Sequence, residues 1–77
     1  MNYKYMLNFG HFKLWADSIP ALVKLYFDNY NRTHNEIYAR FEWNGQNYEY
    51  MNADDYNLYT KYWNYYNNKR LIEQDFV

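Results

Sequence analysis

Few side chains in this sequence could do acid–base or metal chemistry, and those few are far apart. The two histidines, His11 and His34, belong to no HxH or HxxxH pattern, and neither has a carboxylate at metal-ligand spacing. A histidine acts as a general base only when a second group positions it. We therefore expect both histidines to occupy surface or turn positions.

The serine and a pair of adjacent carboxylates have structural explanations. Ser18 precedes Pro20 and an apolar periodic stretch, which is the pattern of a helix N-cap. Asp54 and Asp55 suit the positive end of a second helix, where adjacent residues point about 100° apart and cannot work as a pair. With no cysteine, the chain has neither a thiolate site nor a disulfide. We expect no catalytic residue, no metal and no cofactor, and hence no enzyme.

The first half of the chain predicts a strand and then a helix. Residues 3–9 alternate between apolar and polar side chains, as a half-buried strand does. Residues 11–15 either continue this strand past a kink at Gly10 or form a second short extended piece. Residues 18–30 have apolar side chains at i, i+3, i+4 and i+7, which predicts an amphipathic helix.

A β-hairpin is predicted at residues 36–51. Apolar and polar side chains alternate before Asn44-Gly45, a dipeptide that favours a type I′ turn because both central residues need positive φ. A two-residue loop at this place puts Arg40 opposite Glu49. Opposite charges that face each other support that register.

The second half ends in a helix at residues 53–70, and residues 71–77 either extend it or fray. The element order is β-α-β-β-α, which predicts a small α+β fold in a single domain of residues 1–77. We expect an antiparallel sheet of about three strands with two helices packed on one face. The strand order, and whether the first strand pairs with the hairpin, stay open.

Aromatic side chains crowd the second helix. The chain has 12 Tyr, 5 Phe and 3 Trp, and helical geometry divides the rings of residues 56–66 into two stripes. The stripe expected to face the core contains Tyr56, Tyr59, Trp63 and Tyr66. The second stripe contains Leu58, Tyr62 and Tyr65.

The second stripe can be covered by the first helix, by a second copy of the chain, or by a target protein. Tyr and Trp present large rigid contact area at a low entropic cost, so they are common at binding hot spots. If a target is the cover, we expect its contact residues to be Leu58, Tyr62, Tyr65, Tyr38, Trp15, Lys61 and Lys69.

Charge and composition rank the possible partners. The formal net charge is -1, with 8 basic and 9 acidic residues, which gives no long-range attraction to nucleic acid. The leading hypothesis is a non-enzymatic protein-binding module, a phage- or mobile-element-encoded inhibitor of a host enzyme or defence complex with an anti-CRISPR-like or other anti-defence role. The alternatives are a single-stranded nucleic-acid-binding protein, in which rings stack on bases, and a structural homodimer.

Origin and location are also predicted from composition. Many Tyr and Asn residues, which have A/T-rich codons, indicate an A/T-rich bacterial, phage or mobile-element genome. No segment approaches the roughly 20 apolar residues of a membrane span, and the first residues lack the apolar run of a signal peptide. We therefore expect a cytoplasmic protein with no membrane partner.

Overall fold

A computed structural model describes residues 2–33, 37 and 39–75, with side chains at all of them except 31, 32 and 73–75. These residues form a four-stranded antiparallel sheet of order β2-β1-β3-β4 with two long helices on one face, so the predicted α+β class is confirmed. The elements are β1 (Tyr5–Asn8), β2 (Lys13–Ala16), α1 (Ile19–Asp28), the short α2 (Tyr30–Thr33), β3 (Ala39–Trp43), β4 (Tyr48–Tyr50) and α3 (Ala53–Asp75).

The fourth strand is β2, which pairs with β1 instead of continuing it. Leu7 lies opposite Leu14 in this pair. The reversal occurs at Gly10, whose φ of 87° is the left-handed conformation that glycine adopts without steric cost. The Gly10 N–H donates to Asn8 Oδ1 at 2.9 Å. Strand β1 is therefore central, because its other edge pairs with β3.

Helix α1 has the predicted N-terminal cap. Ser18 Oγ accepts the Ala21 N–H at 3.3 Å, and Pro20 lies in the first turn. The Asn29 N–H donates to the Leu25 carbonyl at 3.1 Å and ends the helix two residues before the predicted end at residue 30. The apolar stripe of α1 buries Ile19, Leu22, Val23 and Tyr26.

The hairpin of β3 and β4 forms where the sequence predicts it, but its two-residue loop is Gly45-Gln46, one residue later than the predicted Asn44-Gly45. The Asn44 N–H donates to the Asn47 carbonyl at 3.0 Å, so Gly45 and Gln46 lie between the closing residues. Asn44 Oδ1 accepts the N–H groups of Gln46 and Asn47 at 2.8 and 2.9 Å. The Asn44 side chain thus satisfies two backbone N–H groups of the loop. Gly45 adopts a φ of 102°.

The offset moves the register of the hairpin by two residues. The predicted pairing of Arg40 with Glu49 is therefore wrong. Glu49 lies opposite Glu42, and the Arg40 carbonyl accepts the Met51 N–H at 3.0 Å. A shift of two residues leaves each side chain on its predicted side of the sheet, because side chains alternate with a period of two.

Helix α3 packs along α1, and its N-terminus is tied to the sheet by polar side chains. Glu42 is buried, and its Oε1 accepts the Asn52 N–H at 2.6 Å. Asn52 Oδ1 in turn accepts the Asp55 N–H at 2.9 Å and so caps the helix. The Tyr5 hydroxyl donates to Asp55 Oδ2 at 3.4 Å. Burial raises the pKa of Tyr5, and the Asp55 and Glu42 carboxylates add to the rise.

Helix α3 is longer than the predicted range of residues 53–70. It has 23 residues, so residues 71–75 extend the helix, whereas residues 76 and 77 lie outside the described part of the chain. None of the helices in the described ranges is both long enough and apolar enough to cross a membrane.

The sheet has two faces of different character, because successive side chains of a strand point to opposite sides. On one side Leu7 and Leu14 share a core with α1 and α3, and Arg40 lies beside Leu7 in the register. Among the described elements none covers the other side, which we call the open face. The register assigns to the open face Met6, Asn8, Lys13, Trp15, Ala39, Phe41, Trp43, Tyr48 and Tyr50.

Candidate functional site

Aromatic rings on the open face contact one another across the sheet. Trp15 and Tyr48 belong to the two edge strands, which are about 14 Å apart at the usual strand spacing. Their ring centroids are nevertheless 5.4 Å apart in an edge-to-face contact, so both rings must lean inward over β1 and β3. Trp43 contacts Tyr48 at 5.1 Å. Met6 of the central strand is buried among the open-face positions, with 6% of its surface exposed.

Part of the ring surface on this face is exposed to solvent. Tyr50 is 75% exposed although one side of its ring stacks on Phe41, with centroids 5.1 Å apart. Trp15 is 38% exposed. A small pocket of about 220 Å³ lies between Asn2, Tyr3, Trp15 and Tyr48. The open face therefore combines exposed ring surface with a preformed depression.

Charged side chains are distributed unequally between the two faces. The carboxylates of β3 and β4, Glu42 and Glu49, alternate onto the side of the helices. The open face has Lys13, and at one end of the sheet Asp17 Oδ1 accepts the Lys4 N–H at 3.4 Å. Burial raises the pKa of Tyr48, and Asp17 adds to the rise. The strands thus contribute a cation but no carboxylate to this face.

The structure divides the predicted contact residues between separate regions. Leu58 and Tyr65 are 40% and 61% exposed on α3, and Lys61 and Lys69 are exposed on the same helix. Tyr62 packs partly buried against the core, so the helices cover part of the second stripe. Trp15 lies on the open face, on the far side of the sheet from α3. Tyr38 lies outside the described residues, as does His34.

The core-facing stripe of α3 is confirmed for most of its length. Tyr59 is buried, and Trp63 and Tyr66 pack against the same core. Trp63 lies 5.4 Å from the ring of Phe27 on α1. Tyr56 is different, because 44% of its surface is exposed and its ring contacts Arg40 at 5.1 Å.

Sequence reasoning missed Phe41, Trp43, Tyr48 and Tyr50 as surface residues. The alternation of the hairpin puts these rings on one side and the charged residues on the other. The usual expectation turns the apolar side of a sheet toward the helices. In this hairpin the charged side faces α3, and the signal for that arrangement is the pair of inward positions 40 and 42, whose long side chains can reach a helix.

Comparison of the chain with protein-family models, with curated proteins and with solved structures finds no match. Inference about function therefore depends on the surfaces of this chain.

Proposed function

We propose that this chain is a non-enzymatic protein-binding module whose contact surface is the open face of the sheet. The observation that supports this most directly is two exposed rings, Tyr50 at 75% and Trp15 at 38% exposure, beside half-buried rings on a face that none of the described helices covers. Large exposed apolar patches on small proteins commonly mark interaction sites. Tyr and Trp are also the residues that contribute most to binding hot spots.

The contacts between the rings order these side chains, which suits a binding surface. Trp15 and Tyr48 hold each other by an edge-to-face contact, and Phe41 stacks on Tyr50. Side chains that are ordered before binding lose less conformational entropy when a partner arrives. The Tyr48 hydroxyl donates to the Tyr3 carbonyl, whereas the hydroxyl of the exposed Tyr50 can bond to a partner while its ring supplies apolar contact.

A protein partner fits the charge of the chain better than a polyanion does. The formal net charge is -1, so phosphate neutralisation would supply little affinity. We infer the more specific role of a phage- or mobile-element-encoded inhibitor or regulator, which blocks a host enzyme or defence complex in the cytoplasm in an anti-CRISPR-like or other anti-defence role. The small size of the chain and its content of 12 Tyr, with A/T-rich codons, support that origin.

Single-stranded nucleic acid is the second candidate partner. Charge segregation favours it, because the carboxylates of β3 and β4 lie on the helix side while Lys13 lies on the open face beside the rings. Exposed rings with nearby cations can stack on bases whatever the sequence of the strand. On this alternative the same face would bind bases.

Self-association is a third candidate, and it involves a different surface. Three exposed apolar side chains recur every seven residues on α3: Leu58, Tyr65 and Ile72. This spacing is that of one position of a helix–helix seam. A structural homodimer formed through α3 would leave the open face free.

One pair of variants tests these candidates. Tyr50→Glu places a charge on the open face, and Tyr65→Glu makes the same change at a similarly exposed position of α3. A partner captured from the host lysate with the wild-type chain is purified and titrated against all three proteins by calorimetry. We expect Tyr50→Glu to weaken binding about 30-fold or more and Tyr65→Glu to leave the affinity within about threefold of wild type.

The opposite ranking would contradict the proposal, provided that circular dichroism shows both variants folded. Titration with single-stranded oligonucleotides at low salt tests the second candidate, since saturable binding that Tyr50→Glu removes would assign the open face to bases. Sedimentation of the wild type and Tyr65→Glu tests the third. A wild-type dimer that Tyr65→Glu converts into a folded monomer would support pairing through α3.

A further inference from the structure

A second region with unusual chemistry lies on the helix side of the sheet, around Arg40. The side chain of Arg40 leaves β3 toward α3, and its guanidinium carbon lies 5.1 Å from the ring centroid of Tyr56 and 5.0 Å from that of Tyr59. Two rings one helical turn apart therefore flank this cation. Guanidinium groups stack well on aromatic faces because they are planar and weakly hydrated.

Arg40 has no anionic partner within the described residues. The ion pair that the described residues form joins Lys24 to Asp28 on α1 and does not involve Arg40. Arg40 Nε is buried without a hydrogen-bond acceptor. Glu42 lies on the same side of β3, but its Oε1 accepts the Asn52 N–H, and it forms no ion pair with Arg40. Partly buried arginines are usually paired, because their five donors need acceptors. A cation in this setting is available to an external anion.

A pocket of about 220 Å³ adjoins the guanidinium. Its walls are Arg40, Tyr56, Tyr59, Thr60 and Trp63, so a charged group and three rings share one cavity. The Thr60 hydroxyl donates to the Tyr56 carbonyl at 3.0 Å, which fixes its orientation at the rim. The volume is well above the roughly 10–15 Å³ that one water molecule needs by the same measure, so the depression has room for a small organic molecule.

The Tyr59 hydroxyl is a further polar atom of this wall. It is buried without a hydrogen-bond partner, and burial raises the pKa of Tyr59 to about 12. The Arg40 guanidinium approaches the hydroxyl and opposes this rise, but without the geometry of a hydrogen bond. Tyr59 therefore keeps its proton at neutral pH, and no phenolate competes for Arg40.

We infer that this cavity, the Arg40 pocket, binds a carboxylate carried on a small apolar body. The planar fork of an arginine matches the two oxygens of a carboxylate in a bidentate contact. Ring walls accept an apolar or aromatic body. The carboxylate belongs either to a free small molecule or to the C-terminus of a peptide. The pocket and the open face lie on opposite sides of the sheet, so this inference does not depend on the proposed function.

Titration of the full isotope-labelled chain by NMR tests the inference, with the Arg40 Nε–H and the Trp63 indole N–H as probes. We expect benzoate to shift both signals saturably with a Kd on the order of 1 mM. Benzamide has nearly the same shape but no charge, and it should bind about tenfold more weakly or less. Equal shifts with the two compounds, or no shift with either, would overturn the proposal without any variant.

A matched pair of variants then locates the site. Arg40→Gln removes the charge from the pocket, whereas Arg70→Gln makes the same change at another half-buried arginine, whose guanidinium lies 4.4 Å from the ring centroid of Tyr30. We expect benzoate binding to fall about tenfold or more in Arg40→Gln and to persist in Arg70→Gln. Loss in the second variant alone would overturn the assignment to Arg40.

The two sources of the carboxylate are distinguished with Gly-Gly-Phe and its C-terminal amide. Tighter binding of the free peptide than of benzoate, with loss in the amide, assigns the pocket to a chain terminus. Binding of benzoate without binding of either peptide assigns it to a free small carboxylate. Both results presuppose that benzoate binds, and either one supports the inference.

Discussion

The two hairpins of the sheet face the helices with opposite kinds of side chain. In the hairpin of β1 and β2, Leu7 and Leu14 turn inward and pack in the core with α1. In the hairpin of β3 and β4, Arg40 and Glu42 turn inward, while the rings turn outward. Helix α1 lies directly against β1 and β2, whereas α3 packs on α1 and contacts β3 through long polar side chains. Apolar burial thus joins the first hairpin to α1, and polar and cation–π contacts join the second hairpin to α3, whose own rings pack in the core.

This difference frees the rings of β3 and β4 for other uses. A hairpin that packed its rings under α3 would have a larger core and no open aromatic face. A chain of 77 residues has little core to give up, since small domains bury only about 60% of their unfolded surface. Leaving these rings exposed therefore forgoes apolar burial that would stabilise the fold, and the proposed binding function would give a reason for that loss.

The largest expected effect is on the apolar half. Leu7 is fully buried, and Leu7→Ala should lower the free energy of unfolding by about 3 kcal/mol because it removes buried methyl groups and leaves a cavity. Tyr50→Ala, on the open face, should change it by less than about 0.5 kcal/mol. Urea denaturation of both variants measures the comparison. Similar losses in the two would mean that the open face is part of the stabilising core.

The next effect concerns the buried hydroxyl between α3 and β3. The folded protein holds the pKa of Tyr59 at about 12, above the ordinary value of 10.0. Between these values Tyr59 is protonated when folded and ionised when unfolded, so the free energy of unfolding falls as pH rises from 10 to 12. The loss should total about 2 to 3 kcal/mol. Urea denaturation at pH 9, 10, 11 and 12 measures it.

Tyr59→Phe is the control for that pH dependence, because other tyrosines also have raised pKa values. Subtracting the Tyr59→Phe curve from the wild-type curve isolates the contribution of Tyr59. At neutral pH the variant should be as stable as the wild type or slightly more so, since the hydroxyl is buried without a hydrogen-bond partner. Identical slopes in the two proteins above pH 10 would contradict the assignment.

A smaller effect tests the polar attachment of α3. Glu42 and Glu49 lie opposite each other in the register, but Glu42 is buried and accepts the Asn52 N–H, whereas Glu49 is exposed. Glu42→Ala should cost about 2 kcal/mol, because it removes a charged acceptor from a donor at the helix start. Glu49→Ala should cost less than about 0.5 kcal/mol. Equal costs in thermal or urea unfolding would show that the contact adds nothing specific.

Local signals in the sequence predicted much of the fold. The Ser18 cap and the apolar stripe of α1 depend on neighbouring residues, as does the position of Asp54 and Asp55 in the first turn of α3, and all are present. The sequence does not decide whether residues 11–15 continue β1 or form a separate strand, because the separation depends on the conformation of Gly10. The predicted register of the second hairpin is wrong because Asn44 Oδ1 accepts two backbone N–H groups of the loop. The preference of Asn-Gly for a type I′ turn takes no account of such side-chain hydrogen bonds.

The candidate surfaces were harder to predict than the elements. Alternation along β3 and β4 divides the residues into two sets, but it does not say which set the helices cover. That choice depends on the pairing of β3 with β1 and on the position of α3, and both are long-range features. For the same reason the sequence does not decide whether α1, a second copy or a target covers Tyr65, and it does not predict the exposure of Tyr50 or the absence of an anionic partner for Arg40 among the described residues.

The contact between Trp15 and Tyr48 gives the sheet an optical reporter. A molecule that enters the depression beside these rings must change the polarity around the indole or part it from the phenol, and either change alters tryptophan emission. A chain in which Trp43 and Trp63 are replaced by Phe would emit from Trp15 alone. Fluorescence would then follow events on the open face in solution, without a label.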